Sequence, residues 1–339
     1  MSTGWVAGAV RAKALARRRL GAAGARELAG HPNLAAAVRT LARGPYGHDV
    51  RPGQSLAEAQ HAAGAALLWN ARVLAGWLPR EGAETVRVLM AGFEVANVDA
   101  HLAAVAGVPG ASRAADRPVG AASGAAASSD AASASAAPAY DLGTLDTAGQ
   151  RAARTTTLAG AAEVLAASPW RVRAPATRRA LALGLRIAWA DAVVSAAPDA
   201  AGWARTGAVL VLAREVLAEG RSLPPSLLPR TRQLLGAGPA EAIADGAPVP
   251  GLRARLPQEE RWVLEGVDEV DDLWRAEVRW WHRLEDDGFA LLRDSRHGPR
   301  PVVGALAVLA ADLWRVRAAL ETAARGGTGW ALEAFDAVA

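Results

Sequence analysis

The strongest candidate for chemistry is a run of acidic side chains in the C-terminal third of the chain, Asp268-Glu269-Val270-Asp271-Asp272. On a helix, the carboxylates of Asp268, Glu269 and Asp272 would lie close together, because residues three or four apart share a face. Carboxylate oxygens are preferred ligands of Mg²⁺, which in turn binds the phosphates of a substrate. The chemistry that this run could perform is magnesium-assisted handling of a diphosphate.

The spacing of these acids resembles the metal-binding Asp-Asp-x-x-Asp motif of helical terpene synthases. Twelve tryptophans would also suit such an enzyme, because aromatic faces stabilise a carbocation. That family carries a second ligand motif later in the chain, an asparagine followed by serine and glutamate. The last asparagine here is Asn97, so the second motif is absent and a solvated helix face explains the acids better. An enzyme that uses Asp268, Glu269 and Asp272 to bind Mg²⁺ is kept as an alternative hypothesis.

Other common catalytic centres lack their residues. The chain has no cysteine, which excludes thiolate sites and suits a reducing compartment. The only lysine, Lys13, is not preceded by glycine, so there is no Walker-type phosphate loop. The histidines are scattered, and His282 is expected to form a surface pair with Glu285. No serine lies in Gly-x-Ser-x-Gly. We therefore predict no catalytic, cofactor-binding or metal-binding residue, and no cofactor.

Charge and hydropathy bear on the partners of the chain. The first twenty residues carry five basic side chains and no secretory signal, and the longest apolar run, residues 301–311, is shorter than the roughly twenty residues of a membrane span. Membrane association is therefore expected to be peripheral. Residues 1–51 carry nine Lys/Arg against two acids, whereas residues 258–296 carry twelve acids against six arginines. Few aromatics accompany the basic segment, so a dipolar molecule between differently charged partners is favoured over a nucleic-acid binder.

Composition and periodicity predict an all-α protein, because alanine, leucine, arginine and glutamate dominate. The clearest apolar stripe, at steps of three or four, predicts one helix roughly 30 Å long. Its members are Val263, Val267, Val270, Trp274, Val278, Trp281 and Leu284. Gly288 is expected to interrupt this helix, Glu277 to lie on its wet face, and Trp280 to be exposed, whereas Trp274, Trp281 and Trp314 are expected to pack between helices. Further helices are predicted over residues 5–20, 33–41, 55–78, 84–105, 177–194, 203–217 and 302–324.

The chain is predicted to contain three lobes. Residues 1–108 form the first lobe, 109–143 an Ala/Ser/Gly-rich flexible linker, 144–235 the second lobe, and 236–339 the third, with the Gly- and Pro-rich residues 236–257 as a break. An internal echo supports this organisation. Both Glu94-Val95-Ala96-Asn97-Val98 and Asp312-Leu313-Trp314-Arg315-Val316 read acid, apolar, two variable residues, apolar, and Glu215-Val216-Leu217-Ala218 is an eroded third copy. Glu94 and Asn97 share a helix face and could bond the backbone of a neighbouring loop, so they are not assigned as binding residues.

Short motifs across the chain carry a resemblance to a known family. Trp5 with Val10-Arg11-Ala12-Lys13 is similar to its opening helix, and residues 89–102 to its Asp-apolar-x-Asn-Leu helix. Gly298-Pro299-Arg300-Pro301 resembles the Gly-Pro-Glu-Pro sequence that opens its final helix. In that helix Asp312 fits the acid of an acid-apolar-x-Asn-apolar-Arg pattern, although Arg315 replaces the asparagine. The family that the chain resembles is the non-catalytic central-stalk coupling protein of the V-type and A-type rotary ATPases.

This resemblance implies a particular fold and role. The fold would be three similar helical lobes in a funnel-like, pseudo-threefold arrangement. The protein would be a non-catalytic central-stalk subunit, present in one copy within a hetero-oligomer. It would couple the central shaft to the membrane proteolipid ring, and so ATP turnover to proton or sodium translocation. Its place would be cytoplasmic, peripheral on the inner face of the membrane; a helical scaffold without a transport role is the other alternative.

Overall fold

The computed structural model describes residues 4–107, 138–327 and 329–336 and contains no β-strand in these ranges. The prediction of an all-α fold is confirmed. The α-helices are α1 Gly4–Arg17, α2 Gly21–Ala29, α3 Leu34–Leu41, α4 Leu56–Ala75, α5 Arg80–Val105, α6 Gly149–Ala152, α7 Leu158–Ala167, α8 Arg178–Ala196, α9 Ala201–Ala213, α10 Leu228–Leu235, α11 Ala237–Ala244, α12 Val249–Arg255, α13 Leu273–Leu292, α14 Pro299–Ala324 and α15 Trp330–Asp336. A π-helical turn, Arg214–Ala218, extends α9, and 3-10 turns cover Gln258–Leu264 and Val270–Asp272.

Local signals explain where several helices begin. The side chain of Asn33 caps α3 by accepting the amide of Ala36, and that of Thr177 caps α8. Ser55 and Glu58 form a reciprocal capping box at the start of α4, which satisfies amide groups that no helical carbonyl reaches. These starts coincide with the predicted segments to within a residue.

Contacts divide the described chain into two compact units. Unit 1 contains residues 4–90, 138–144 and the described residues from 282 onward, and unit 2 contains 91–107 and 145–281. The predicted lobe boundary at 143/144 lies one residue from a boundary between these units, whereas the one at 235/236 falls inside unit 2. The three lobes therefore remain a prediction.

Helix α14 is the central helix of unit 1. Helices α1, α2, α3, α4 and α15 all pack on it, and most of its side chains are buried. Gly288 of α13 lies against Gly304 of α14: a Cβ on Gly304 would stand 2.5 Å from the Gly288 carbonyl oxygen. The sequence predicted that Gly288 interrupts its helix. This prediction is wrong: α13 continues through Gly288, and the missing side chain allows α13 and α14 to approach closely.

Unit 2 has two apolar clusters. One lies among α8, α9, the short helices α10–α12 and the start of α13, and the other among α5, α7 and α8. Residues 236–257, predicted to be a break, form α11 and α12, because glycine and proline stand at helix ends there, where they are tolerated.

The prediction of one long helix along the stripe from residue 263 to residue 284 is wrong for residues 263–272. Gly266 has a φ of +66°, which ends the turn Gln258–Leu264, and α13 begins only at Leu273. The predicted flexible linker, residues 109–143, does not extend to residue 143 as a flexible segment. Residues 109–137 lie outside the described residues, but Tyr140 is buried against the ring of His61 and accepts a hydrogen bond from Arg317.

Helix α5 is the only helix in the described residues that is long and apolar enough to cross a membrane, although the length of uninterrupted apolar runs did not single it out. Half of its apolar window is buried inside the protein, and buried core helices meet the same criterion. One of its carboxylates has partners in unit 2: Asp99 pairs with Arg186 at 2.8 Å and with Arg178 at 3.4 Å. These pairs are typical of a core helix rather than one facing lipid.

Candidate functional site

A buried carboxylate anchors the start of α2 to the central helix of unit 1. Asp312 of α14, 1% exposed, accepts the backbone amides of Leu20 at 2.9 Å and Gly21 at 2.6 Å. The hydroxyl of Tyr46 donates to the same carboxylate at 2.8 Å. Burial, and next the negative charge of Asp312, raise the pKa of Tyr46 well above its usual value, so its proton stays in this bond. Because the amides at a helix start carry partial positive charge, the carboxylate is well placed there.

A second carboxylate does the same in unit 2. Glu94 of α5, fully buried, accepts the backbone amides of Thr147 at 2.9 Å and Ala148 at 2.7 Å, immediately before α6. The indole nitrogen of Trp170 donates to it at 2.9 Å. The expectation that Glu94 bonds a neighbouring loop's backbone is confirmed.

The two anchors share one chemical plan. Each joins an acid of a core helix to two consecutive amides at a helix start and to one aromatic donor. Their acids are the first residues of the two best copies of the internal echo. Glu215, first residue of the eroded copy, is bound differently: it lies in the π-helical turn and pairs with Arg179 and Arg221. Three donors on each carboxylate make these groups structural anchors rather than proton-transfer groups.

Sequence reasoning missed the partners of these acids, although a signal for them exists. The residues before α2 and α6, Leu20 and Ala148, provide no side-chain cap. Amides at a helix start without Ser, Thr, Asp or Asn can be satisfied by another acceptor. At α2 and α6 a distant acid provides it, and at α6 the side chain of Asp146 also accepts the amide of Gln150 at 3.4 Å.

Arg315 and His282 differ from their predicted surroundings. Arg315, which stands where the resembling family has asparagine, is buried and forms a two-bond ion pair with Glu285, both bonds 2.6 Å. The predicted surface pair of His282 with Glu285 is therefore wrong. The His282 ring instead lies edge-on to Trp314, which is buried as expected.

Two further acids of unit 2 are buried without a full set of partners. Glu277 is 2% exposed, one of its oxygens accepts no hydrogen bond, and Arg214 approaches only to 3.4 Å. Burial raises the pKa of Glu277 to about 7, against the opposing effect of Arg214. Burial likewise raises the pKa of Glu260, whose nearest cation, Arg205, is 3.9 Å away. The prediction that Glu277 lies on a wet face is wrong, because Glu277 stands four residues after Leu273 and seven before Leu284, on the buried face of α13.

The three tryptophans of α13 are only partly buried. Trp280, expected to be exposed, is half-buried and its indole nitrogen donates to the Trp203 carbonyl at 3.1 Å and the Thr206 hydroxyl at 3.0 Å. Trp274 and Trp281, expected to pack between helices, are half-buried as well. The bonds of Trp280 show packing and hydrogen bonding within unit 2.

The acids of the Mg²⁺ hypothesis do not converge. Asp268 is exposed and pairs with Arg253 at 3.0 Å, and Asp272 pairs with Arg275 at 3.2 Å. Glu269 is exposed and precedes the 3-10 turn that holds Asp272, so the three acids do not share one face of an α-helix. No group of three or more metal-binding side chains occurs among the described residues. The geometry does not favour a diphosphate site.

A cavity of about 430 Å³ lies in unit 1 beside the Asp312 anchor. Arg18, Arg19 and Asn70 line it, together with Trp69, whose ring stacks on that of His48 at 4.1 Å. Asp312 and Tyr46 also line it. Tyr46 and Asp312 form an acid–base pair in its lining, and the raised pKa of Tyr46 keeps the proton on the tyrosine.

In comparisons with known proteins, no protein-family model matches the chain and no curated protein matches it significantly.

Proposed function

We propose that this protein is a non-catalytic central-stalk subunit of a V/A-type rotary ATPase. In this role it seats the central shaft on the membrane proteolipid ring and transmits torque between ATP turnover and proton or sodium translocation. The proposal includes three similar helical lobes in a funnel-like arrangement, one copy per complex, and a peripheral position on the cytoplasmic side of the membrane.

The observation that carries the proposal is the pair of matching anchors at Glu94 and Asp312. Both acids belong to helices that resemble the family's acid-containing helices. A family built from repeated helical lobes leads us to expect the same anchor more than once, in equivalent helices. The two anchors meet that expectation with the same set of three donors.

A torque-transmitting body also has to resist deformation. Buried carboxylates that fix helix starts to core helices remove the freedom of those helices to slide, because any shift would leave a buried charge without its donors. Closely packed helices such as α13 and α14, whose glycines 288 and 304 touch, add to this stiffness.

The test is purification from native membranes. A chain tagged at its chromosomal locus should co-purify in mild detergent with a proteolipid ring, shaft proteins and the catalytic head in fixed ratio. In membrane vesicles from a deletion strain, ATP-driven ion uptake should be lost while detached catalytic heads still hydrolyse ATP. Recovery of the tagged chain by itself, together with normal ion uptake in the deletion strain, would overturn the proposal and favour the scaffold hypothesis.

A matched pair of variants links the assay to the anchors. Asp312→Asn should reduce co-purification of the ring, because it disturbs the packing of unit 1. Asp286→Asn, which neutralises an exposed acid on α13, should leave it unchanged. Equal recovery with both variants would show that the Asp312 anchor does not support assembly.

A further inference from the structure

We propose that the outward face of α1, together with Trp77, docks on an anionic lipid surface. This face, called the α1 face below, consists of Val6, Ala7, Val10 and Ala14. The inference goes beyond the rotary function, since lipid contact needs no other protein.

The α1 face is unusually apolar for an exposed helix. Val6 is 43% exposed, Val10 56% and Trp77 53%, and these are three of the five large exposed hydrophobic side chains in the described residues. Trp77 lies beside α1, because the guanidinium of Arg11 stands 5.3 Å from its ring and a Cβ on Gly8 would lie 3.2 Å from its carbonyl oxygen. The opposite side of α1 packs on α14 and α4, so the apolar residues outside are not part of the core.

Charge around the α1 face has one sign along the helix. Arg11 and Lys13 flank the apolar residues, and Arg17 and Arg18 follow at the end of the helix. No acid occurs in the chain before Glu27. Arg17 and Arg18 are exposed and form no ion pair with any described residue. An apolar strip flanked by basic side chains is the pattern of helices that lie in the interface of anionic membranes.

An acid at one edge does not cancel this charge. Glu81 at the start of α5 accepts the indole hydrogen of Trp5 at 2.8 Å, at the N-terminal end of α1 and away from Arg17 and Arg18. The basic end and the apolar strip therefore remain available together.

The size of the patch favours lipid over a protein partner. Three half-exposed side chains offer a few hundred Å² of apolar surface, whereas a stable protein interface buries roughly 800 Å² on each partner. A membrane adds electrostatic attraction to each basic side chain near the surface, so a small apolar contact is enough. Trp77 suits this role, because tryptophan is enriched at the level of the lipid headgroups.

The experiment is flotation of the purified full chain with vesicles. The chain should float with phosphatidylcholine vesicles that contain about 30% phosphatidylglycerol, and not with phosphatidylcholine alone; binding should fall as salt is raised. Val10→Asp and Trp77→Ser should each weaken binding at least about tenfold, because they remove apolar contact and, for Val10, add a repelled charge. Both side chains are exposed, so the fold should be retained, which circular dichroism checks.

Trp330→Ser provides the matched control, because Trp330 is 66% exposed and lies on α15 instead. It should float like the wild-type chain. The proposal is overturned by no flotation of the wild-type chain with anionic vesicles, by equal flotation with neutral ones, or by undiminished binding of Val10→Asp. Because no other protein is present, these outcomes are independent of co-purification with a proteolipid ring.

Discussion

Glu277 allows a quantitative test of the buried charge in unit 2. Its carboxylate is almost without solvent contact, lacks a hydrogen bond on one oxygen and has only Arg214 nearby, at 3.4 Å. Replacement by glutamine keeps the shape of the side chain and removes the charge. We therefore expect Glu277→Gln to stabilise the protein at high pH and to have little effect at low pH.

The size of this effect follows from the raised pKa. In the unfolded chain the pKa of Glu277 is near 4.5, and in the folded protein burial raises it to about 7. The folded state therefore holds a proton that the unfolded state releases between these values. The resulting stabilisation is complete below about pH 4.5, is lost as pH rises to about 7, and then stays constant. At about 1.4 kcal/mol per pH unit, the loss is about 3 kcal/mol, a figure that already includes the opposing effect of Arg214 on the pKa.

The assay is urea unfolding of the wild type and of Glu277→Gln at several values between about pH 4 and pH 8. The variant should gain about 3 kcal/mol at pH 8 and change by less than about 0.5 kcal/mol at pH 4. Asp286→Asn, on the exposed side of the same helix, should change little at either pH. A destabilised Glu277→Gln at pH 8, or an equal gain at both ends of the range, would refute the reasoning, since either result means that the charge is not the cause.

Three further predictions concern the anchors and the helix contacts. Asp312→Asn should lower the unfolding free energy by about 3 kcal/mol, and Tyr46→Phe by about 1–2 kcal/mol, because the first leaves charged-acceptor bonds unmade and the second removes one donor; urea unfolding measures both. Glu94→Gln should cost about 3 kcal/mol and speed amide hydrogen exchange mainly in unit 2, whereas exchange that rises equally in both units would contradict a local anchor. Gly304→Ala should lower the unfolding free energy by about 2 kcal/mol or more, and with it the melting temperature, because the added Cβ overpacks the contact with α13. At Gly202 an added Cβ meets nothing within 4 Å, so Gly202→Ala should be neutral or stabilising by about 0.5 kcal/mol.

Local sequence signals predict the structural features that depend only on residues close together in the chain, such as where a helix begins. Helix starts at Asn33, Ser55 and Thr177 can be read from the cap residue itself, because the bond closes within three positions. The helical character of the chain follows equally from composition. The sequence also indicates that Glu94 hydrogen-bonds to a neighbouring backbone, because Glu94 is the acid of one copy of the internal echo.

The phase of α13 shows where local patterns fail. The apolar stripe continues across Gly266 without a break in spacing, so the residues before and after it resemble one helix. The positive φ of Gly266 and the 3-10 turns that flank it depend on how the chain packs, and periodicity does not register them. A single long helix consequently puts Trp280 on the wrong side. Glu277 is misplaced for another reason: it shares a face with the buried Leu273 and Leu284, and its charge alone suggests solvent.

The partners of Glu94 and Asp312 are out of reach for a different reason. Trp170 is 76 positions from Glu94, and Tyr46 is 266 positions from Asp312, so no local pattern contains both members of either pair. The distance is also what makes the anchors useful. A local cap, such as Ser55, stabilises one helix end and nothing else. A carboxylate on a core helix that caps a distant helix connects the two helices. The free energy of its hydrogen bonds therefore stabilises tertiary structure as well as the helix end. A serine introduced before α2 could restore its cap after loss of Asp312, but it would not restore the link to α14; stiffness of unit 1 therefore depends on the acid in the core helix, and not on capping as such.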